Sequence, residues 1–173
     1  IASTKRKDIP GDVQEMGKGF VLDGIGVILS GTTEKGNRII RDHVKDIGGK
    51  PEAQLLGTKM RAPVRLAAFA NGAAGHAIDY DDTQLSTTPD RTFGLLTHPT
   101  VPALAGALAV AERQRASGAA FLEAFLVGFE VECKIAEAMN PDHYVKGFHT
   151  TGTVGVFGAT ATAAKLYKLS PEQ

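Results

Sequence analysis

An apolar helical segment that runs directly into a group of acids is the most informative feature of this chain. The segment begins at Pro63, and its second half reads Asn71-Gly-Ala-Ala-Gly-His76-Ala-Ile-Asp79-Tyr-Asp81-Asp82-Thr83. A helix that is apolar on nearly every side is expected to be buried, so residues 63–77 are predicted to form a buried helix. The acids then lie beyond its C-terminal end, where the helix dipole disfavours carboxylates. Acids at such a place need a partner or a functional reason, although a solvated acidic turn remains the plainer interpretation.

Five other segments show the three- and four-residue apolar spacing of amphipathic helices. They cover approximately residues 13–30, 33–47, 98–115, 118–139 and 152–169. No alternating pattern of useful length predicts a strand, although residues 54–56 can form a short extended piece. The prediction is an all-α fold of about six packed helices, and the 20 glycines favour close helix packing.

Composition limits the classes of function that the chain can have. Its 173 residues fit one domain, and the 19 basic residues balance the 19 acidic ones. This balance gives no electrostatic basis for binding nucleic acid or an anionic membrane. No apolar run approaches the ~18 residues of a membrane span, and the single cysteine, Cys133, cannot form an internal disulfide. We therefore expect no nucleic-acid partner, no membrane partner and a cytoplasmic location.

Both ends of the chain resemble internal positions of a longer protein. The first residue is not Met, and Ser170-Pro171-Glu172 is typical of the start of a helix. The expectation is that residues 1–173 are a fragment of a longer protein.

Two further polar junctions stand where predicted helices begin. His98 precedes Pro99 at the start of one helix, where the positive end of the dipole favours the neutral ring that a general base requires. His149 precedes the second junction, whose Thr151, Gly152 and Thr153 offer N–H groups and hydroxyls to a carboxylate or phosphate. Residues 84–96 form a loop of about a dozen residues, which favours a functional loop. A capping or buried role for His98 remains the alternative.

The acids also allow a metal interpretation. Closely spaced oxygen ligands suit Mg²⁺ or Ca²⁺, yet the spacing lacks the central Gly and terminal Glu of a calcium loop. His76 lies three residues before Asp79, so the two side chains can share one helical face. We therefore predict acid–base chemistry on a small anionic substrate with no metal. The alternatives are a Mg²⁺-dependent helical enzyme that uses Asp79, Asp81 and Asp82, or a non-catalytic helical oligomerisation module.

Taken together and in order, these motifs resemble the MmgE/PrpD family, which includes 2-methylcitrate dehydratase, cis-aconitate decarboxylase and iminodisuccinate epimerase. The matching pieces are Phe20-Val-Leu-Asp-Gly-Ile-Gly26, Asn71-Gly-x-x-x-His76-Ala-x-Asp79-x-Asp81-Asp82-Thr83, His98-Pro99-x-x-x-Pro102-Ala-Leu, Gly128-Phe-Glu130-Val and Gly147-Phe-His149-x-Thr-Gly-Thr-x-Gly155. The resemblance implies a large all-helical domain with an α+β lid domain, of which this chain covers the N-terminal helical part without the lid. It also implies a cofactor-independent enzyme that is commonly a homodimer.

The resemblance assigns catalytic positions to Asp79, Thr83, His98 and His149, with His76 and the Thr151–Thr153 turn expected to bind substrate. It implies a lyase or isomerase that breaks a bond next to a carboxylate of a small di- or tricarboxylate. The segment before His98 is longer than the spacing associated with the family's decarboxylase. That length favours a 2-methylcitrate dehydratase-like or iminodisuccinate epimerase-like member.

Overall fold

Long helices make up most of the part of the chain that the computed structural model describes, residues 1–85 and 97–173. The elements are a 3-10 helix Arg6–Asp8, α1 Gly11–Gly31, α2 Lys35–Ile47, β1 Ala53–Gln54, β2 Arg61–Ala62, α3 Val64–Gly75, α4 Thr100–Gln114, α5 Gly118–Met139, α6 Asp142–Val145 and α7 Thr150–Tyr167. The predicted all-α class and its six long helices are confirmed. Most of the predicted loop falls on residues 86–96, outside the described residues.

Four short elements lie outside the six predicted helices, and one of them, β1, overlaps the extended piece suggested at residues 54–56. They are the 3-10 helix, the single turn α6, and the two-residue strands β1 and β2, which pair antiparallel with Ala53 opposite Ala62. Each is too short to produce a periodic pattern. Among the described residues, no helix is long and apolar enough to cross a membrane.

Helix α4 lies at the centre of the fold and packs against α1, α3, α5 and α7. Its sequence, Thr-Val-Pro-Ala-Leu-Ala-Gly-Ala-Leu-Ala-Val-Ala, is rich in small residues, and nine residues of the helix are buried. Small side chains let several helices approach one axis at once. The main core cluster joins Ile28 of α1, Ala74 of α3, Leu104 of α4 and Phe125 of α5.

A buried asparagine fixes the position of α3. Asn71 is 3% exposed, and its Nδ2 donates to the carbonyl of Gln54 at 3.0 Å. Its Oδ1 accepts from the N–H of Leu56, also at 3.0 Å. Both partners lie in the segment around β1, so the helix that carries the acids at its end is anchored to the small sheet.

Helices α5 and α7 meet through glycines. A Cβ added to Gly128 would overlap the Thr162 hydroxyl and lie 2.6 Å from the carbonyl oxygen of Gly158. These neighbours belong to the backbone and to a buried side chain of α7, so they cannot easily move away. The short distance between α5 and α7 therefore requires glycine at position 128.

We expect Gly128→Ala to lower the free energy of unfolding by about 1–3 kcal/mol, because the new methyl overpacks a rigid interface. Gly26→Ala is the matched control, since Gly26 lies inside α1 with no atom within 4 Å of an added Cβ. There the substitution should stabilise by roughly 0.5–1 kcal/mol. Urea denaturation of the full-length protein measures both. Equal effects at the two positions would contradict the close approach of α5 and α7.

Candidate active site

Three chain segments converge on a cavity of about 310 Å³. They are the acidic segment after α3, the start of α4, and the start of α7 with the end of α6. The cavity is lined by Asp79, Asp81, Thr83, Thr97, His98, Tyr144, His149, Thr150 and Thr151. A larger cleft of about 1180 Å³ lies near the chain termini, but its described lining contains no histidine. The small cavity is therefore the candidate site.

The acidic segment leaves the helix earlier than the sequence suggested. Helix α3 ends at Gly75, and His76 is already its C-cap residue. Asp79 then adopts a left-handed backbone with φ of 52°, a conformation that Asp tolerates better than most residues. Because α3 ends before this turn, His76 and Asp79 do not lie on one helical face. The spacing in the sequence had suggested that they would.

Asp81 is the acid that lies closest to the imidazoles. Its side chain is 1% exposed, and Nδ1 of His76 lies 2.9 and 3.1 Å from its two carboxylate oxygens. Nδ1 of His98 lies 3.5 Å from Oδ1 of the same carboxylate, and Nε2 of His98 lies 3.8 Å from Oδ1 of Asp79. Asp81 therefore hydrogen-bonds the His76 ring and lies beside the His98 ring, whose Nδ1 has no hydrogen-bond partner among the described residues, while exposed Asp79 lies near the other ring nitrogen of His98.

Asp82 performs a separate task at the start of α4. Its Oδ1 accepts from the N–H of Thr100 at 3.1 Å, and its Oδ2 accepts from the Thr100 hydroxyl at 2.8 Å. Burial is the main cause that raises the pKa of the Asp82 carboxyl, although both hydrogen bonds oppose it. Asp82 thus caps the helix that follows His98 and fixes where that helix begins.

The start of α7 is capped by a histidine ring. Nδ1 of His149 accepts from the N–H of Gly152 at 3.1 Å, so this nitrogen carries no proton and Nε2 is the ring nitrogen left for other contacts. The sequence had suggested that this N–H group was open to an anionic substrate. Instead, the imidazole already occupies it.

A hydrogen bond joins the starts of α4 and α7. The N–H of His98 donates to Oγ1 of Thr151 at 2.9 Å. The rings also lie close together, since the His76 centroid is 4.7 Å from that of His98 and 5.7 Å from that of His149. Three histidines from three segments therefore occupy one side of the site.

The structure brings most of the predicted site residues together. Asp79, Thr83, His98, His149 and Thr151 line the cavity. His76 and Gly152 line an adjoining apolar groove of about 540 Å³ between α3, α4 and α7, which shares Asp81 and His149 with the cavity. Thr153 contacts neither, since its hydroxyl lies 3.0 Å from Nε2 of His143.

A buried glutamate behind the cavity was not found from the sequence. Glu132 of α5 is fully buried, and its Oε1 accepts from the hydroxyl of Thr97 at 2.8 Å. Burial raises the pKa of its carboxyl to about 8. The sequence contained one indication of this burial. Glu132 lies at helical spacing from Phe125, Gly128 and Ala136, all of which are buried.

One cluster in the site has the geometry to hold a metal ion. His76, Asp79, Asp81 and His98 each offer an atom, and these atoms lie within 4.8 Å of one another. Two imidazoles with carboxylates suit Zn²⁺ better than Mg²⁺, which prefers oxygen ligands. Asp82 is outside the cluster because both of its oxygens face Thr100. The run of three acids therefore does not assemble as a unit.

Comparison with known proteins agrees with the resemblance noted in the sequence. The family model described as MmgE/PrpD N-terminal domain matches residues 1–173. Cis-aconitate decarboxylase-like protein oryM of Aspergillus oryzae is 30% identical over 99% of this chain and 36% of its own length. Cis-aconitate decarboxylase of Homo sapiens is 33% identical over 91% of this chain and 32% of its own, and that of Mus musculus is 32% identical over 88% and 31%. The chain thus spans about a third of the length of these curated relatives.

We expect Asp82→Ala to lower the free energy of unfolding by about 1–2 kcal/mol, because α4 loses its cap and Thr100 its partner. Asp82→Asn keeps one acceptor oxygen and should lose less than half as much. Urea denaturation of the full-length protein at pH 7 measures the difference. Equal losses for the two variants would mean that the hydrogen bonds to Thr100 do not stabilise the start of α4.

Proposed function

Because the chain belongs to the MmgE/PrpD family, we propose that it supplies the acid–base half of the active site of a lyase or isomerase. The reaction is cofactor-independent and breaks a bond next to a carboxylate of a small di- or tricarboxylate. The observation that carries the proposal is the position of His98, between two carboxylates and on the wall of a cavity that it shares with His149.

His98 is proposed as the group that takes or returns a proton at the carbon next to the substrate carboxylate. Its ring is 15% exposed, so it reaches the cavity while being largely shielded from bulk water. The carboxylates of Asp81 and Asp79 lie 3.5 and 3.8 Å from its two nitrogens, so their charges would stabilise the positive charge that the ring gains on accepting a proton.

His149 and the hydroxyls are proposed to hold the substrate. Nδ1 of His149 is occupied by the N–H of Gly152, so Nε2 can donate a proton or a hydrogen bond. Thr83, Thr97 and Thr151 place hydroxyl groups on the cavity wall. Among the described lining residues there is no Lys or Arg, so cations that bind the substrate carboxylates would come from the rest of the protein.

Two observations favour different reactions within this class. The length of the segment before His98 favours a dehydration like that of 2-methylcitrate dehydratase, or an epimerisation. The relatives, by contrast, are named as cis-aconitate decarboxylases or similar to them. Loop length changes readily without a change in the scaffold, so we give decarboxylation of a cis-aconitate-like tricarboxylate equal standing with dehydration.

The two alternative functions, an oligomerisation module and a Mg²⁺-dependent enzyme, receive less support. An oligomerisation module gives no reason for His98, His149 and Asp79 to share one cavity. A Mg²⁺ enzyme would need Asp79, Asp81 and Asp82 to converge, whereas Asp81 faces histidines and Asp82 caps α4. The homodimer implied by the family is retained as a proposal, and light scattering of the full-length protein measures it.

The first test of the function is a substrate screen followed by replacement of the proposed base. Full-length protein is assayed with cis-aconitate, 2-methylcitrate and iminodisuccinate, and we expect turnover of one of them. His98→Gln should then lower kcat by about 10²–10⁴, the usual contribution of a positioned proton-transfer group. His43→Gln is the matched control, because His43 is exposed on α2, and it should retain full activity. Unchanged turnover in His98→Gln would end the assignment of the base.

The second test concerns metal. We expect full-length protein dialysed against EDTA to keep its turnover number, and elemental analysis to find less than about 0.1 Mg²⁺ per chain, because Asp81 faces His76 and Asp82 faces Thr100. Stoichiometric Mg²⁺ that disappears in Asp79→Asn would contradict the proposed metal-free mechanism. Activity restored by Zn²⁺ alone would contradict it as well, and would assign the ion to the histidine-containing cluster.

A further inference from the structure

We propose that Glu132 is a positioning residue that directs a chain of hydrogen bonds from the α5–α7 interface to the cavity. In its neutral form it makes the hydroxyl of Thr151 a donor to a substrate carboxylate. The inference rests on the proposed function, since it concerns how the same cavity holds its substrate. It adds a residue that does not touch the substrate and acts through two threonines.

The site of Glu132 is built to hold a carboxyl group. The side chain is fully buried on α5, and α7 faces it with Gly155 and Gly158. A Cβ at position 158 would lie only 2.5 Å from Oε2 of Glu132, so the glycine provides the space that the carboxyl occupies. Oε2 itself has no hydrogen-bond partner among the described residues. A fully buried ionised carboxylate with an unpartnered oxygen would be costly, so the arrangement fits the neutral acid.

A continuous path of polar atoms leads from this carboxyl to the site. Oε1 of Glu132 lies 2.8 Å from Oγ1 of Thr97, which lies 3.3 Å from Oγ1 of Thr151. The Thr151 oxygen also accepts from the N–H of His98 at 2.9 Å. Thr97 and Thr151 both line the cavity. The buried acid is therefore connected to the substrate-facing surface by two hydroxyl groups.

Each hydroxyl has one hydrogen to donate. The protonation state of Glu132 therefore decides which atom is the donor in each hydrogen bond of this path. An ionised Glu132 can only accept, so it takes the hydrogen of Thr97, and the hydrogen of Thr151 turns to the Thr97 oxygen. A neutral Glu132 can donate to Thr97, which then donates to Thr151. The Thr151 oxygen is then filled by Thr97 and by the N–H of His98, and its own hydrogen points to the cavity.

The surroundings favour the neutral form at pH 7. Burial raises the pKa of Glu132 to about 8, the bond from Thr97 opposes this, and the charge of Asp82 raises it further. Among residues 1–85 and 97–173, Asp82, beside the start of α4, is the titratable group that acts on Glu132 from outside α5. From α7, Gly155 and Gly158 carry no charge, and on α5 the neighbouring Cys133 has a raised thiol pKa and stays neutral. Glu132 therefore ionises as the pH rises through about 8.

The test measures how binding of a non-reactive tricarboxylate depends on pH. Propane-1,2,3-tricarboxylate is titrated calorimetrically into full-length protein at pH 7 and pH 9. For the unmodified protein we expect the affinity to fall about tenfold, because the cavity loses a donor to a carboxylate. Glu132→Gln cannot ionise and its amide donates to Thr97, so its affinity should fall less than about threefold.

Two further variants separate this role from a merely structural one. Glu130→Gln is the matched control, since Glu130 lies two residues earlier on α5 with an exposed side chain, and it should keep the tenfold fall. Thr97→Val has nearly the same shape but breaks the path, so it should lose the pH dependence while Glu132 remains. It carries the test on its own if Glu132→Gln fails to fold.

The outcomes distinguish this inference from the function on which it rests. If the unmodified protein binds the tricarboxylate and both Glu132→Gln and Thr97→Val show the same fall as Glu130→Gln, the role of Glu132 is overturned and the proposed function stands. If the unmodified protein neither binds it nor turns over any of the three carboxylates, the proposed function fails and this inference fails with it.

Discussion

The hydrogen bond from the His98 N–H to the Thr151 hydroxyl is the contact on which the geometry of the site depends. It joins the starts of α4 and α7 at 2.9 Å, and it forms only because these helices lie unusually close. A Cβ at Gly155 of α7 would lie 2.9 Å from Pro102 of α4. The small residues that first suggested close packing thus help to bring two histidines from distant parts of the sequence, His98 and His149, to one cavity.

The three acids after α3 follow a helix whose dipole disfavours carboxylates, and each of them takes a different position. Carboxylates directly beyond the end of α3 would face the negative end of its dipole. The left-handed turn at Asp79 redirects the chain, so that Asp82 reaches the positive end of α4 and caps it. Asp81 turns inward to the imidazoles, and Asp79 remains at the mouth of the cavity. Each acid therefore has a partner that the one-dimensional spacing does not reveal.

Periodicity predicted the six long helices because each buries a stripe of side chains over several turns. It also located the junctions, since His98 and His149 stand immediately before apolar repeats. Periodicity could not predict the pairing of His76 with Asp81, because that contact depends on where α3 ends and on one left-handed residue. Glu132 was missed for a different reason: a charged residue suggests an exposed face, and only the glycines of α7 make a buried carboxyl possible there.

The charges around the cavity bear on how the proposed function would divide between this chain and the rest of the protein. The proposed di- or tricarboxylate would enter a space whose described lining holds two acids and two histidines, with no Lys or Arg. Asp79 and Asp81 repel such a substrate unless their charge is balanced, and the imidazoles beside them can balance it only when protonated. Strong binding of the carboxylates therefore requires cations from outside this lining. In the proposed function the histidines would then serve to exchange protons with the substrate, with the ring of His76 held by buried Asp81.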